Sequence, residues 1–215
     1  MRNGRCESAD DTHKRRIRKR KPPTAVPPPA AVVPLLRTAV ASDLTFVTSL
    51  QRKFSNQLGF LPTTAVDELI GKSRVLLGLE NGEPAGYLIA RPRLRCQPAT
   101  APIVQAAVCM DLRRRSLGMR MVEAVCQDAW VDGRSVVQCW CREDLEACDF
   151  WAACGFQPIA DRHPNNARNK RMILYRRPLP GCDDATLTAV PRNAGWKGAT
   201  IPTERPSQLM LPWPT

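Results

Sequence analysis

Ala106-Ala107-Val108-Cys109-Met110-Asp111-Leu112-Arg113-Arg114-Arg115-Ser116-Leu117-Gly118-Met119-Arg120 changes character twice along its length. The apolar run through Met110 reads as a buried strand and the arginines as a turn. From Leu117 the pattern is that of an amphipathic helix, with Leu117, Met121, Ala124 and Val125 on one face. The first backbone N–H groups of a helix have no intrahelical acceptor and lie at the positive end of its dipole, which favours a phosphate or pyrophosphate. Gly118 allows close approach to the backbone, Ser116 is small and can donate, and Arg113, Arg114 and Arg115 add charge at the same place. From these residues alone, a solvated basic helix start is an equal reading.

The flanking sequence supplies the remaining elements. Residues 33–38 read as a short strand, and Ser42 as the cap of a helix with Val47, Leu50, Phe54 and Leu58 at helical intervals, ending at Gly59. A second helix spans residues 64–70, closed by Gly71. Strands at 74–80 and 83–91 are joined by Asn81-Gly82, a strong hairpin signal, and a further strand covers 102–110. Beyond the quoted stretch come a helix at 117–130, a strand at 135–141 and a helix at 144–154 stopped by Gly155. Strands at 156–160 and 170–176 follow. The order β-α-α-β-β-β-α-β-α-β-β is that of an α/β (α+β mixed) fold, a mixed sheet with helices on both faces.

Composition divides the 215 residues into a body and two extensions. Residues 1–30 carry nine Lys/Arg against Glu7, Asp10 and Asp11, an excess of six out of the chain's net +12. The run Lys14-Arg15-Arg16-Ile17-Arg18-Lys19-Arg20-Lys21 repels itself, and the prolines at 22–29 extend it, so residues 1–30 read as a disordered basic and Pro-rich arm. Such a run attracts polyanions, and nonspecific nucleic acid is the expected partner of residues 14–21. A solubilising tail is the alternative. The patterned body occupies 31–177. Residues 178–215 hold seven prolines and no helical or strand period.

Several classes of function are set aside. No stretch approaches the roughly 18 apolar residues of a membrane span. Ala31-Val32-Val33 meets Pro34 at once, so the basic start lacks the apolar core of a secretory signal and a cytoplasmic location is expected. The nine cysteines are odd in number and contain no Cys-x-x-Cys, and Cys139-Trp140-Cys141 is too tight for a zinc pair. With His13 and His163 the only histidines, no metal is expected, and the cysteines read as small core residues.

The basic turn resembles the coenzyme-A loop of the GCN5-related N-acetyltransferase (GNAT) superfamily, Arg/Gln-x-x-Gly-x-Gly/Ala after the fourth strand. Here it reads Arg113-x-x-Ser116-x-Gly118, with serine for the first glycine. A second family pattern, Asn-x-x-Ala-x-x-hydrophobic-Tyr-x-x-x-Gly-Phe, aligns with Asp144-Leu145-Glu146-Ala147-Cys148-Asp149-Phe150-Trp151-Ala152-Ala153-Cys154-Gly155-Phe156. Residues 36–44 look like the family's opening strand and helix. The resemblance implies an acyl-CoA N-acyltransferase (GNAT) fold whose fourth and fifth strands splay apart. In that gap the thioester arm of acetyl-CoA would pair with backbone at Ala106, Ala107 and Val108. The pyrophosphate would rest on Arg114, Arg115, Ser116, Leu117, Gly118 and Met119, beside Arg113. A primary amine would attack the thioester directly, its carbonyl polarised by the Val108 N–H, with no acyl-enzyme and no nucleophilic cysteine.

Departures from the pattern fall at the acid–base positions. Trp151 stands where many members have a Tyr that protonates the thiolate, and Cys139 where some have a Glu base. Asp144 replaces the Asn that contacts the cofactor or orders the loop. By position Asp144 and Trp151 join the expected cofactor-binding residues, with packing as the favoured role of the Trp151 ring, and no general acid or base is named. Asp111, Glu143 and His163 are candidates for the acceptor side, each with an ordinary structural role as alternative. Two functions are therefore open. One is an acetyl-CoA-dependent N-acetyltransferase acting on an unspecified primary amine. The other is an acyl-CoA-binding relative without turnover, tethered to nucleic acid by its arm.

Overall fold

β1 (Leu35–Thr38), β2 (Val75–Glu80), β3 (Glu83–Ala90), β4 (Thr100–Val108), β5 (Val136–Arg142), β6 (Gln157–Arg162) and β7 (Met172–Pro178) form one sheet in the order β1-β2-β3-β4-β5-β7-β6. The computed structural model describes residues 35–91, 97–113, 116–162 and 170–189. The arm of residues 1–30, Arg114, Arg115, His163 and the sequence beyond 189 lie outside the described residues. All pairings are antiparallel except β4 with β5, which is parallel. The mixed α/β architecture expected from the element order is the one observed.

The alternation of apolar residues along the strands serves two cores. α1 (Leu44–Lys53) and α2 (Thr63–Gly71) bury Val47, Leu50, Val66 and Ile70 against Val75, Leu77, Tyr87 and Ile89. α3 (Leu117–Val131) and α4 (Ala147–Ala153) bury Met121, Val122, Val125 and Trp151 against Leu88, Ile103, Val137 and Cys139. Asn81 (φ 53°) and Gly82 (φ 87°) both adopt the left-handed backbone that a tight hairpin demands, as their sequence predicts.

Three boundaries differ from expectation, each because a side chain redirects the backbone. Ser42 does not cap α1. A 3-10 turn at Ala41–Asp43 precedes the helix, and the Asp43 carboxylate takes the Val40 N–H (2.8 Å) and a bidentate pair from Arg37 (2.6 and 2.8 Å). The helix also stops at Lys53 rather than near 58. Gln51 donates to the Leu61 carbonyl (2.8 Å) and accepts its N–H (3.3 Å), pulling the following chain off the helix axis. Asp144 lies outside α4, because Arg142 holds its carboxylate through two 3.0 Å contacts.

The described residues continue past β7. A short helix, α5 (Asp184–Thr188), follows β7, started by Asp183 accepting from Thr186 N (2.6 Å). Its anchor is Arg176, which is 0% exposed. The guanidinium donates to Gln138 Oε1 (3.0 Å from both Nε and Nη2), Gln97 Oε1 (2.8 Å) and the carbonyls of Thr186 (3.2 Å) and Leu187 (2.9 Å). A single arginine thus joins β5, β7, the segment leading into β4 and α5. Burial pulls its pKa down to about 10, so it remains charged at neutral pH.

Arg176→Ala should strand these buried acceptors and lower unfolding stability by about 3 kcal/mol in urea melts. A loss below about 0.5 kcal/mol, the range of ordinary surface substitutions, would contradict the anchoring role.

Candidate functional site

β4 and β5 pair only at Thr100↔Val136, Ala101↔Val137 and Pro102↔Gln138. Pro102, the last residue of that register, directs its carbonyl to the Arg91 N–H (2.9 Å) on the β3 side rather than toward β5. Beyond it β4 stays on β3 as far as Val108, and β5 stays on β7 as far as Arg142. The strands expected to splay therefore do so, leaving a gap between residues 103–108 and 139–142.

A bulge sets the parity of the open edge. Ile89 faces Gln105 and Ala90 faces Ile103, so Val104 is the extra residue. Gln105 consequently meets the buried Tyr87, whose hydroxyl donates to Gln105 Oε1 (3.1 Å), while Gln105 Nε2 donates to the Gly59 carbonyl. Farther along, Cys109 N donates to Ala85 O (2.8 Å), which fixes the phase of the antiparallel ladder. Ala107 exchanges its backbone bonds with Tyr87, whereas Ala106 and Val108 direct theirs into the gap. The expected trio thus separates: two residues direct their backbone into the gap and the one between them is committed to β3.

The turn follows directly from this edge. Met110–Leu112 is a 3-10 turn, and the Arg113 guanidinium lies 4.8 Å over the Phe54 ring centroid. Ser116 is left-handed (φ 62°), a conformation that glycine adopts without steric cost, and its side chain makes no cap hydrogen bond. Among the described residues, the first amide with an acceptor at this helix start is that of Arg120, on the Ser116 carbonyl (3.0 Å). The amides of Leu117, Gly118 and Met119 precede it and are available to an anion.

Gly118 also lies against α4. A Cβ there would sit 3.1–3.2 Å from the Phe150 ring and 3.7 Å from Val108 Cγ2. Its missing side chain makes room for Phe150, so the end of β4, the start of α3 and α4 meet at one point. Leu117 is buried, and it packs closely over Gly78.

The acid–base positions are occupied by structural groups. Trp151 is 6% exposed, edge-on to Phe150 and Phe156 with ring centroids 5.1 and 5.2 Å away. Packing accounts for it. Burial pushes the Cys139 thiol far up, and those of Cys126 and Cys154 up to about 12, so none is a ready nucleophile. Arg142 holds the carboxyl of Asp144 below its usual range, and Glu143 pairs with Arg171 (3.3 Å). Asp111 is exposed within the 3-10 turn. Among the described residues no group of His, Cys, Asp or Glu is arranged to hold a metal ion.

Sequence reading missed the ties across the gap. Arg142, at the end of β5, donates to the Asn56 carbonyl (2.6 Å). Together with Gln105 on β4 and Arg113 in the turn, it fixes the segment between α1 and α2 to both walls of the opening. These contacts join residues 46 and 86 positions apart, and no local pattern signals them.

Ser116→Gly should relieve roughly 1 kcal/mol of left-handed strain, part of it offset by unfolded-state entropy, so stability holds or rises. Ser116→Val should lower it by more than 1 kcal/mol in the same melts. Equal stability of the two variants would contradict the assigned turn geometry.

The profile described as "Acetyltransferase (GNAT) family" matches residues 46–156. No curated protein matches the chain. Solved structures share the fold at low identity. Ard1 from Thermoplasma volcanium superposes with TM-score 0.60 at 16% identity, covering 69% of this chain and 99% of its own. YncA, a putative acetyltransferase from Salmonella typhimurium with its cofactor acetyl-CoA, gives 0.60 at 14%, covering 75% and 99%. The ribosomal-protein-S18-alanine N-acetyltransferase from Escherichia coli gives 0.56 at 16%, covering 76% and 99%.

Proposed function

The chain belongs to the acetyltransferase (GNAT) family, a family of N-acyltransferases using acetyl-CoA, and from that premise we propose that it acetylates a primary amine by direct attack on the thioester. The observation that carries this reading is the open edge of β4 running straight into a helix start with available amides. The backbone of Ala106 and Val108 would pair with the thioester arm, and the amides of Leu117–Met119 would hold the pyrophosphate. Arg113, Arg114, Arg115 and the Ser116 hydroxyl supply further donors. Val108 N–H, aimed into the gap, polarises the thioester carbonyl as negative charge develops on its oxygen. A thiol of ordinary pKa, about 8.5, leaves as a thiolate without a dedicated acid, so the replacement of Tyr by Trp151 does not prevent the reaction. Asp144 serves through Arg142, by holding the α1–α2 segment, and Trp151 by supporting Phe150.

Loss of cofactor affinity in a folded variant tests the assignment. Gly118 is unsuitable for a charged probe because its site is filled by Phe150. Arg113→Glu with Ser116→Asp places two carboxylates beside the turn without entering the core. Calorimetry should show acetyl-CoA affinity down at least about tenfold, or 1.4 kcal/mol, in a variant that still unfolds cooperatively and has lost no more than the roughly 0.5–1 kcal/mol of the Arg113–Phe54 contact. Wild-type affinity in that variant would remove the site. Binding with no thiol release on any of a pool of amines would favour the reading without turnover.

We further propose that residues 14–21 bind nucleic acid nonspecifically, seven of the eight being basic, and that the protein is cytoplasmic. With five to seven phosphate contacts, log affinity for duplex DNA should fall against log salt with a slope of about −5 to −6. The arm holds no aromatic residue for base stacking, so sequence preference should be slight. Equal affinity after removal of residues 1–29 would dispose of the idea.

A further inference from the structure

Two thiols that direct amine attack leaves unused lie against each other in one wall of the gap. Cys148 Sγ is 3.5 Å from Cys141 Sγ, and both point at the Arg142 carbonyl, at 3.1 and 3.5 Å. Cys141 is on β5 beyond its last pairing with β4, and Cys148 is in the first turn of α4. Their exposures differ: Cys141 is buried, whereas Cys148 is half-exposed. The short α4 is preceded by the loop at 143–146, so its first turn can move the roughly 1.5 Å that separates this contact from a covalent S–S bond. We propose that Cys141 and Cys148 are a peroxide-sensitive dithiol, a modification site that converts to a disulfide linking β5 to α4.

The chemistry balances with a peroxide as the two-electron oxidant. Cys148, the accessible partner, loses its thiol proton and attacks the peroxide, giving a sulfenic acid and water. The Cys141 sulfur then displaces hydroxide from that sulfenic sulfur, forming the S–S bond and releasing a second water. Burial of Cys141, which pushes its thiol up to about 12, keeps it from reacting first but not from closing on a neighbour in contact. Cys139, Cys126 and Cys154 are buried in the core with no such opening.

A consequence follows for the cofactor site, resting on the function proposed above. Phe150, two residues after Cys148, fills the space over Gly118 at the start of α3. Drawing the first turn of α4 toward β5 shifts that ring, so the oxidised protein should bind acetyl-CoA several-fold more weakly.

The test uses the full chain, reduced and then treated with a modest excess of hydrogen peroxide. Intact mass should fall by two hydrogen atoms and recover with dithiothreitol. Digestion after arginine should link peptide 135–142 to peptide 143–162, with fragment ions placing the bond between Cys141 and Cys148. Cys148→Ser should abolish that link, and Cys182→Ser should retain it. Absence of the link, or a bond through Cys139 or Cys154 instead, overturns the proposal. Calorimetry on the same samples separates its two parts. Unchanged acetyl-CoA affinity after complete cross-linking would refute control of the site. Reduced protein that fails to bind acetyl-CoA would instead refute the proposed function, leaving the mapped disulfide standing.

Discussion

The structure depends on the end of hydrogen bonding between β4 and β5 after Pro102 and Gln138. Two parallel strands inside a sheet ordinarily satisfy each other along their full length, and an open pair leaves backbone donors and acceptors in need of water or a ligand. Here the separation is built from several sources. The bulge at Val104 reverses the parity of the edge, and β5 is carried off by its long pairing with β7. Phe150 then fits between Val108 and the side-chain-free Gly118. The result is a slot whose one wall offers the backbone of Ala106 and Val108 and whose end is the start of α3.

The opposite side of the slot is closed by long-range ties rather than by regular structure. Gln105, Arg113 and Arg142 reach from β4, the turn and β5 to the segment between α1 and α2, and Gln51 fastens that segment at Leu61. The charge arrangement in the second half of the sheet serves stability instead. Arg176 is surrounded by neutral acceptors, and Arg177 pairs with Glu123 (2.7 and 3.1 Å) to hold β7 to α3.

Much of this was legible in the sequence because it is local. Asn81-Gly82 announces its hairpin by backbone preference, and the periodic apolar residues of α1, α2 and α3 announce their buried faces. The turn at Arg113–Gly118 was recognisable by its charge and its glycine, yet the reason for Gly118 was not: it answers to Phe150, thirty-two residues away. Helix ends were misplaced wherever a side chain redirected the backbone, as at Asp43, Gln51 and Asp144. α5 was invisible because five residues carry no period, and it is held by an arginine whose burial nothing in the local sequence reveals. Trp151 was placed with the cofactor by position, whereas its ring belongs to the aromatic cluster of the core.

The central claim is that the open edge of β4 and the first amides of α3 form one binding surface for acetyl-CoA. Hydrogen–deuterium exchange of the full chain with and without saturating acetyl-CoA addresses it segment by segment, since a bound ligand lowers exchange only where it protects amides or stabilises their surroundings. The expected result is slowed exchange in residues 103–108 and 116–120 together, with little change in β1 and β2. Slowing confined to other segments, or none at either of these two in the presence of demonstrated binding, would contradict the account.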